Sequence, residues 1–232
     1  MKHVLITGAA GGIGSCLVDE YLARGYEVYG ADRVRRPEAE AARAGSPYTF
    51  FEVDVTDTGA VERLAARLRE RTESLDIIIN CAGLLRPESE EKLEDFDIDG
   101  SMRVFDVNAL GPFRVVKACI DLLRAGEDRL LLNMSSEAGS ITSHADYTKR
   151  YDYCMSKAAL NIQSVILQRY LKPEGIKVLL MHPGWVNTPM GGAEAPVTPE
   201  ESARGVAGVA DQLMHKPDSY MYWNYNGTER PW

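Results

Sequence analysis

Between an apolar run, His3 to Thr7 (HVLIT), and a helical pattern, Ile13 to Ala23, the chain places Gly8-Ala-Ala-Gly-Gly-Ile-Gly14. This order of strand, glycine turn and helix constrains the fold more than any other stretch. A short run that is apolar throughout, rather than alternating, fits a strand covered on both faces, as parallel strands are. Glycines at 8, 12 and 14 let the backbone approach a ligand closely. The start of the following helix offers unpaired N–H groups and a positive dipole end to a pyrophosphate. Glycine-rich turns also occur with no ligand; its position after a strand and before a helix points this one toward a dinucleotide.

The pattern then repeats. Gly25 ends the helix, and a second strand, Tyr26 to Ala31, ends at Asp32. In a nucleotide-binding βαβ unit a carboxylate at this place accepts hydrogen bonds from the adenosine ribose; a solvated acid at a strand end is the plainer alternative. Arg33 to Gly45 reads as a loop with a short exposed helix, and Tyr48 to Val53 as a third strand ending at Asp54-Val55. Asp57 or Thr58 can cap a helix to about Arg71. Asp76 to Asn80 is a fourth strand, opening onto small residues in Asn80-Cys-Ala-Gly83. Further strands are expected at Arg129 to Asn133, Lys177 to Met181 and Tyr220 to Trp223. Helices are expected at Ser101 to Leu123, Cys154 to Tyr170 and from the Thr198-Pro-Glu-Glu201 capping box to about Leu213. The alternation predicts an α/β chain with a doubly wound parallel sheet of about seven strands. Ligands then bind at the carboxyl ends of the strands.

Tyr153-Cys-Met-Ser-Lys157 carries the clearest chemistry. Four residues is just over one helical turn, so a proton donor and a cation project from one face. A free phenol titrates near ~10, and a nearby ammonium lowers that value by favouring the phenolate. The spacing is weak evidence taken alone. Pro112, within the long helical run, has no N–H for the carbonyl four residues earlier, which leaves the main-chain oxygen of Asn108 free; a simple kink is the bland account. Ser136 follows a strand end, where serine is most often a turn former, yet the Tyr153 helix starts next. His182 reads as a strand-end histidine rather than a catalytic one.

At 232 residues with 45% hydrophobic content and no linker, repeat or low-complexity tract, residues 1–232 are expected to form one domain. A net charge of -8 with scattered basic residues argues against nucleic acid and anionic lipid as partners. No apolar run approaches the ~20 residues of a membrane span. The first strand begins at His3, which leaves no room for a targeting peptide, so a cytoplasmic location is expected. Cys16, Cys81, Cys119 and Cys154 lack metal-ligand or disulfide spacing, and no metal is expected.

Taken together, Thr7-Gly8-x-x-x-Gly12-x-Gly14, Asp54-Val55, Asn80-x-Ala82-Gly83, Asn108, Ser136, Tyr153-x-x-x-Lys157 and Pro183-Gly184-x-Val186-x-Thr188 resemble the short-chain dehydrogenase/reductase family over nearly the whole chain. Ser135 to Ser140, Pro183 to Gly192 and the final Pro-Trp resemble its C-factor and sniffer-type carbonyl reductase branch. The resemblance implies a single-domain Rossmann fold with strand order 3-2-1-4-5-6-7 flanked by helices, and an NAD(P)(H)-dependent interconversion of a small-molecule alcohol and carbonyl. It implies that Tyr153 exchanges the proton, Ser136 hydrogen-bonds the substrate oxygen, and Lys157 holds the nicotinamide ribose and lowers the tyrosine's pKa. Asn108 would hold a relay water through its main chain. Gly8, Gly12, Ile13 and Gly14 would contact the pyrophosphate and its surroundings, Asp54 and Val55 the adenine, and Asn80, Ala82 and Gly83 the riboses. Pro183-Gly184 belongs to the same cofactor-binding motif, with Val186 and Thr188 meeting the carboxamide. Two departures stand out. Cys81 replaces the family's usual asparagine, and the Ser136 to Tyr153 interval is longer than usual. Counting back by the common interval selects Ser140, whereas strand-end context selects Ser136, which is preferred. A nucleotide-binding signalling protein of C-factor type, in which turnover is secondary, is the alternative function.

NAD(H) is expected over NADP(H), because Asp32 would face a 2′-phosphate as a like charge and Gly11 stands where phosphate-accepting relatives often carry a basic residue. Arg33, Arg35 and Arg36 argue the other way. A homo-oligomer, most simply a dimer, is expected through the helices Ser101 to Leu123 and Cys154 to Tyr170, the second of which has more apolar surface than one sheet-facing stripe requires. The nine residues between Thr188 and Thr198 are too few for a helical lid and suit a mobile flap. Substrate choice is expected to lie in Leu84 to Asp97, Ser140 to Arg150 and Met190 to Pro196.

Overall fold

A computed structural model of the chain describes residues 1–143, 147–216 and 218–232. Seven strands form one sheet: β1 (His3–Thr7), β2 (Glu27–Asp32), β3 (Tyr48–Glu52), β4 (Ile77–Asn80), β5 (Leu130–Met134), β6 (Lys177–His182) and β7 (Tyr222–Asn224). Their order is β3-β2-β1-β4-β5-β6-β7. Every pairing is parallel. The expected doubly wound Rossmann sheet is therefore observed, with strand ends shifted by one or two residues from the sequence reading.

The apolar runs are continuous because alternate residues enter two different cores. Val4, Ile6, Ile77, Ile79, Leu130, Leu132, Leu179 and Met181 face one side. There they meet α1 (Gly12–Ala23) and α7 (Pro199–Leu213) through Leu17, Tyr21, Val206 and Ala210. Leu5, Ile78, Leu131 and Val178 face the other side, against α3 (Thr58–Arg69) and α5 (Gly111–Ala125). A short α2 (Pro37–Ala41) lies in the charged segment after β2, as expected. Asp57, not Thr58, caps α3, its carboxylate accepting from Ala60 N–H at 3.0 Å. Thr198 caps α7 by accepting from Glu201 N–H at 3.1 Å.

The long helical run from Ser101 departs from the sequence reading. It forms α4 (Ser101–Phe105), then a widened π turn over Asp106–Leu110, then α5. The irregularity begins five residues before Gly111-Pro112, because the missing N–H of Pro112 disturbs the ladder upstream of the proline itself.

The helix carrying Tyr153, α6 (Tyr151–Leu171), starts three residues earlier than expected and has an inverted inner face. Asp152, Ser156, Lys157, Asn161 and Ser164 are buried among Leu160, Leu167 and Leu171. Met155, Ile162, Ile166 and Tyr170 point outward, at 50–67% exposure. Buried polar groups need partners. Asn133 Nδ2 donates to Ser164 Oγ at 2.9 Å, Ser135 Oγ to Asn161 Oδ1 at 2.6 Å, and Asn161 Nδ2 to the Gly139 carbonyl at 3.0 Å. This inner face fastens α6 to the carboxyl end of the sheet. Among the described residues no helix is long and apolar enough to cross a membrane.

Candidate active site

The order in which strands are added to the sheet reverses between β1 and β4, and at such a switch point the two loops leaving the strands diverge and open a crevice. Thr7 holds the two rims together, its hydroxyl accepting from Cys81 N–H at 3.1 Å and Ala82 N–H at 3.2 Å. Here lies a groove of about 460 Å³. Its walls include Gly8, Gly12, Ile13, Gly14, Asp32, Asp54, Val55, Ala82, Gly83, Tyr153, Lys157, Pro183 and Thr188, most of the cofactor-binding residues expected from the sequence. A second cavity of about 360 Å³ adjoins it and shares Ile13, Ser135, Tyr153, Pro183, Thr188 and Met190. Ser136, Gly184 and Val186 line this second lobe.

The groove suits a dinucleotide on two counts. Gly8 has φ +70, and a Cβ at Gly14 would lie 2.1 Å from the Gly8 carbonyl oxygen, so neither position tolerates a side chain. The N-terminus of α1 thereby sits directly against the loop. No side chain caps it and its first turn carries no acidic residue, so its N–H groups and dipole are available to an anion. From the opposite side the Thr188 methyl carbon comes within 3.0 Å of where a Cβ at Gly12 would stand, which closes the groove over the helix start.

At the far end Asp32 accepts from Ala10 N–H at 3.1 Å and from Val34 N–H at 3.2 Å. Arg35 turns away to Glu40, Nε to Oε1 at 2.8 Å, while Arg33 and Arg36 lie on the groove wall. Burial raises the pKa of Asp54, but hydrogen bonds from the Thr56 N–H and hydroxyl, with Arg103 nearby, outweigh it and hold the carboxyl below its ordinary range.

Two expected residues lie elsewhere. Asn80 is off both cavity walls; its Nδ2 donates to Asn133 Oδ1 at 2.8 Å inside the sheet. The neighbouring Cys81 takes the wall position, its thiol pushed up to about 12 by burial. Asn108 is fully buried in the π turn. Its Oδ1 accepts from Leu84 N–H at 2.7 Å, and its Nδ2 donates to the Leu84 carbonyl at 2.9 Å and to Ser156 Oγ at 3.0 Å. The side chain is thus occupied by structure, and only the main chain is left for any role toward a ligand.

Tyr153 stands where the two cavities meet. Burial pushes its phenol up to about 12, against an influence of the Ser136 hydroxyl that works downward. Lys157 is almost wholly buried, and burial lowers it to about 8. Its Nζ donates to the Met134 carbonyl at 2.8 Å and lies 5.7 Å from the centre of the Tyr153 ring. Loss of water around the phenol is the largest influence on it, ahead of Ser136 and of the titratable groups nearby. Of the two candidate serines, Ser136 is on the wall. Ser140 is 1% exposed and its hydroxyl donates to the Pro231 carbonyl at 2.8 Å.

The second lobe is completed by Tyr147 and Arg150, from the Ser140 to Arg150 stretch expected to govern substrate choice, and by Glu137, His182 and Trp185, none of which was expected as a site residue. His182 is the last residue of β6, the strand-end place expected for it, and there it forms part of this wall while its Nδ1 accepts from Glu137 N–H at 3.1 Å. No spacing signals these side chains, which come from three separate stretches of the chain. Within Ser140 to Arg150, residues 144–146 lie outside the described residues. The stretch after Thr188 contains no helix, as expected, but it is tied down rather than loose. Val186 bridges Val197, and Trp185 Nε1 donates to the Gly191 carbonyl at 2.7 Å.

Comparison with known proteins agrees with this geometry. Residues 2–197 match the family model for short chain dehydrogenase. C-signal of Myxococcus xanthus is 40% identical over 161 residues, covering 69% of this chain and 95% of that protein. Two solved structures superimpose with a TM-score of 0.90 over 100% of this chain. One is NADPH-bound carbonyl reductase from chicken fatty liver, 29% identical with 99% of its chain covered, and the other is carbonyl reductase Sniffer of D. melanogaster, 28% identical with 100% covered. With the family model spanning most of the sequence and the glycine cradle, sheet order and tyrosine helix all in place, the chain belongs to the short chain dehydrogenase family.

Proposed function

We propose that the protein is an NAD(P)(H)-dependent oxidoreductase that interconverts an alcohol and a carbonyl, with Tyr153 as general acid and base. The observation that carries this reading is the position of Tyr153, on the same wall as Ser136 at the junction of the dinucleotide groove and the second lobe. A nicotinamide dinucleotide held in the groove would supply or accept the hydride. Ser136 orients the substrate oxygen, and Tyr153 exchanges the proton with it. Lys157 reaches toward the ribose from the groove wall, and Asn108 contributes through its main chain. The intact set of Ser136, Tyr153 and Lys157 supports turnover over a purely signalling role, and the likeness to C-signal is compatible with either.

A phenol raised to about 12 is protonated at neutral pH, which suits carbonyl reduction. Alcohol oxidation needs the phenolate, so its rate is expected to rise with pH while reduction stays level through neutrality. Tyr153→Phe should abolish turnover of a panel of ketones and alcohols, by at least about 100-fold, and leave cofactor binding near wild type. Activity retained by that variant at pH 7 removes the assignment.

NAD(H) is the preferred cofactor in this reading, because the Asp32 carboxylate on the groove wall favours a ribose hydroxyl over a 2′-phosphate. Arg33 and Arg36 on the same wall, and the NADPH-bound carbonyl reductase neighbour, are what favours NADP(H) instead. The protein acts as a homodimer in this proposal, paired through the exposed apolar residues of α4, α5 and α6.

A further inference from the structure

The segment that carries Ser136 is gripped from two sides. One grip belongs to α6, through Asn161 to Ser135 and Gly139. The other comes from chain almost one hundred residues away, the end of the sheet and the stretch that follows it. The Tyr222 hydroxyl donates to the Ser136 carbonyl. Arg230 Nη2 donates to Glu137 Oε2 at 2.9 Å. The Pro231 carbonyl accepts from Ser140 Oγ at 2.8 Å, and the Trp232 carbonyl from Thr142 N–H at 2.8 Å. These contacts follow the Ser136 segment residue by residue.

The gripping stretch is itself anchored. Arg230 N–H donates to the Tyr222 carbonyl at 2.8 Å, and Arg230 Nη1 donates to Asn224 Oδ1 at 2.8 Å. The Tyr220 hydroxyl donates to the Arg230 carbonyl at 2.8 Å. The Trp232 ring packs on Tyr220 and Tyr222, with centroids 6.0 and 5.4 Å away. Glu137 also faces the second lobe beside His182, so the Arg230 pair sets one wall of that lobe as well as the backbone behind it.

We infer that Tyr222 and Arg230 are positioning residues for the active site, holding the Ser136–Glu137 backbone so that the Ser136 hydroxyl meets Tyr153 and the substrate oxygen at once. Neither residue lines the dinucleotide groove, so the effect falls on the chemical step and on substrate binding, not on cofactor binding. The inference rests on the oxidoreductase reading for its kinetic consequence but not for its structural one. A serine displaced by a fraction of an ångström loses the alignment on which proton transfer depends.

The test compares wild type with Tyr222→Phe, Arg230→Ala and Arg230→Lys. Measurements are carbonyl-reduction kinetics, NADH and NADPH dissociation constants by nucleotide fluorescence, and hydrogen exchange of the amides in 135–143. Arg230→Ala and Tyr222→Phe should lower kcat roughly 10- to 100-fold with unchanged nucleotide affinity. They should also speed exchange in 135–143 while the sheet core keeps its protection. Arg230→Lys should recover most of the rate. The alkaline limb of the kcat profile should move to higher pH in the two damaging variants, since Ser136 lowers the Tyr153 pKa and a displaced Ser136 does so less. Wild-type kcat and wild-type exchange in both variants overturn the inference. So does a uniform rise in exchange with nucleotide affinity lost, which would make the role merely structural. If wild type itself turns over no substrate, the oxidoreductase reading fails on its own, and exchange in 135–143 still decides whether the grip exists.

Discussion

Lys157 illustrates how a buried cation on the groove wall is held at a cost to stability. A lysine that titrates at about 8 in the folded protein and at its ordinary 10.5 when unfolded binds its proton less tightly when folded. The difference corresponds to roughly 3 kcal/mol of destabilisation, fully present below pH 8, fading as pH rises from 8 to 10.5 and absent above. Lys157→Met should therefore stabilise the ligand-free protein at pH 7 by about 1 to 3 kcal/mol, the lower figure allowing for the lost bond to the Met134 carbonyl. The gain should shrink at higher pH, and nucleotide binding should be lost. A thermal midpoint below that of wild type at pH 7 contradicts the argument. Asp32 makes the second residue-scale prediction. Removing a carboxylate that accepts from a ribose hydroxyl costs on the order of 10-fold or more in NAD(H) utilisation, while relieving repulsion of a 2′-phosphate. Asp32→Ala should narrow the gap in kcat/KM between the two cofactors; a wild-type preference for NADP(H) reverses the assignment.

At the scale of elements, the start of α6 is set by a docked loop. Arg150 has φ +61, and its N–H donates to the Ser89 carbonyl at 2.7 Å, which ends the irregular stretch and lets the helix begin at Tyr151. Arg86 joins the same junction, its Nε donating to Asp152 Oδ2 at 2.8 Å and its Nη1 to Asp97 Oδ2 at 3.0 Å. Asp152 is 0% exposed, so removing its cationic partner leaves a buried carboxylate paired only with the Tyr153 N–H. Arg86→Ala should cost about 3 kcal/mol in urea unfolding, and turnover should fall because Tyr153 is the next residue. A loss under about 1 kcal/mol would mean that solvent replaces the arginine. The inverted face of α6 belongs to this scale too. Its polar inner stripe exists because the helix lies over the carboxyl ends of the strands, where Asn133 and Ser135 present side chains that need partners.

At the scale of the whole molecule that inversion leaves apolar surface outside. Met155, Ile162, Ile166 and Tyr170 on α6, with Met102 on α4 and Phe113 on α5, are each at least 44% exposed. Exposed apolar side chains on neighbouring elements favour association. Sedimentation at micromolar concentration should give a dimer, and Ile162→Glu with Ile166→Glu should give a folded monomer. A monomeric wild type removes the proposal.

The sequence by itself determined the parallel sheet, since strands buried on both faces must be apolar throughout, and the signals that bound helices are local: Asp57 caps α3, Thr198 caps α7 and Gly25 follows the end of α1. It also determined the glycine cradle and the Tyr153–Lys157 pair, because each lies within a few residues and is specified by local geometry. Other features were settled only by tertiary structure. The burial of Asn80 and the wall position of Cys81 depend on which strand lies beside which. The start of α6 at Tyr151 depends on a loop sixty residues earlier, and the meeting of Glu137 with His182 and Arg230 depends on sheet order. The raised pKa of Tyr153 belongs with these, because its largest cause is how much protein surrounds the phenol. Local spacing encodes hydrogen-bond period and which face is buried; it contains no information on what packs against that face from a distant part of the chain.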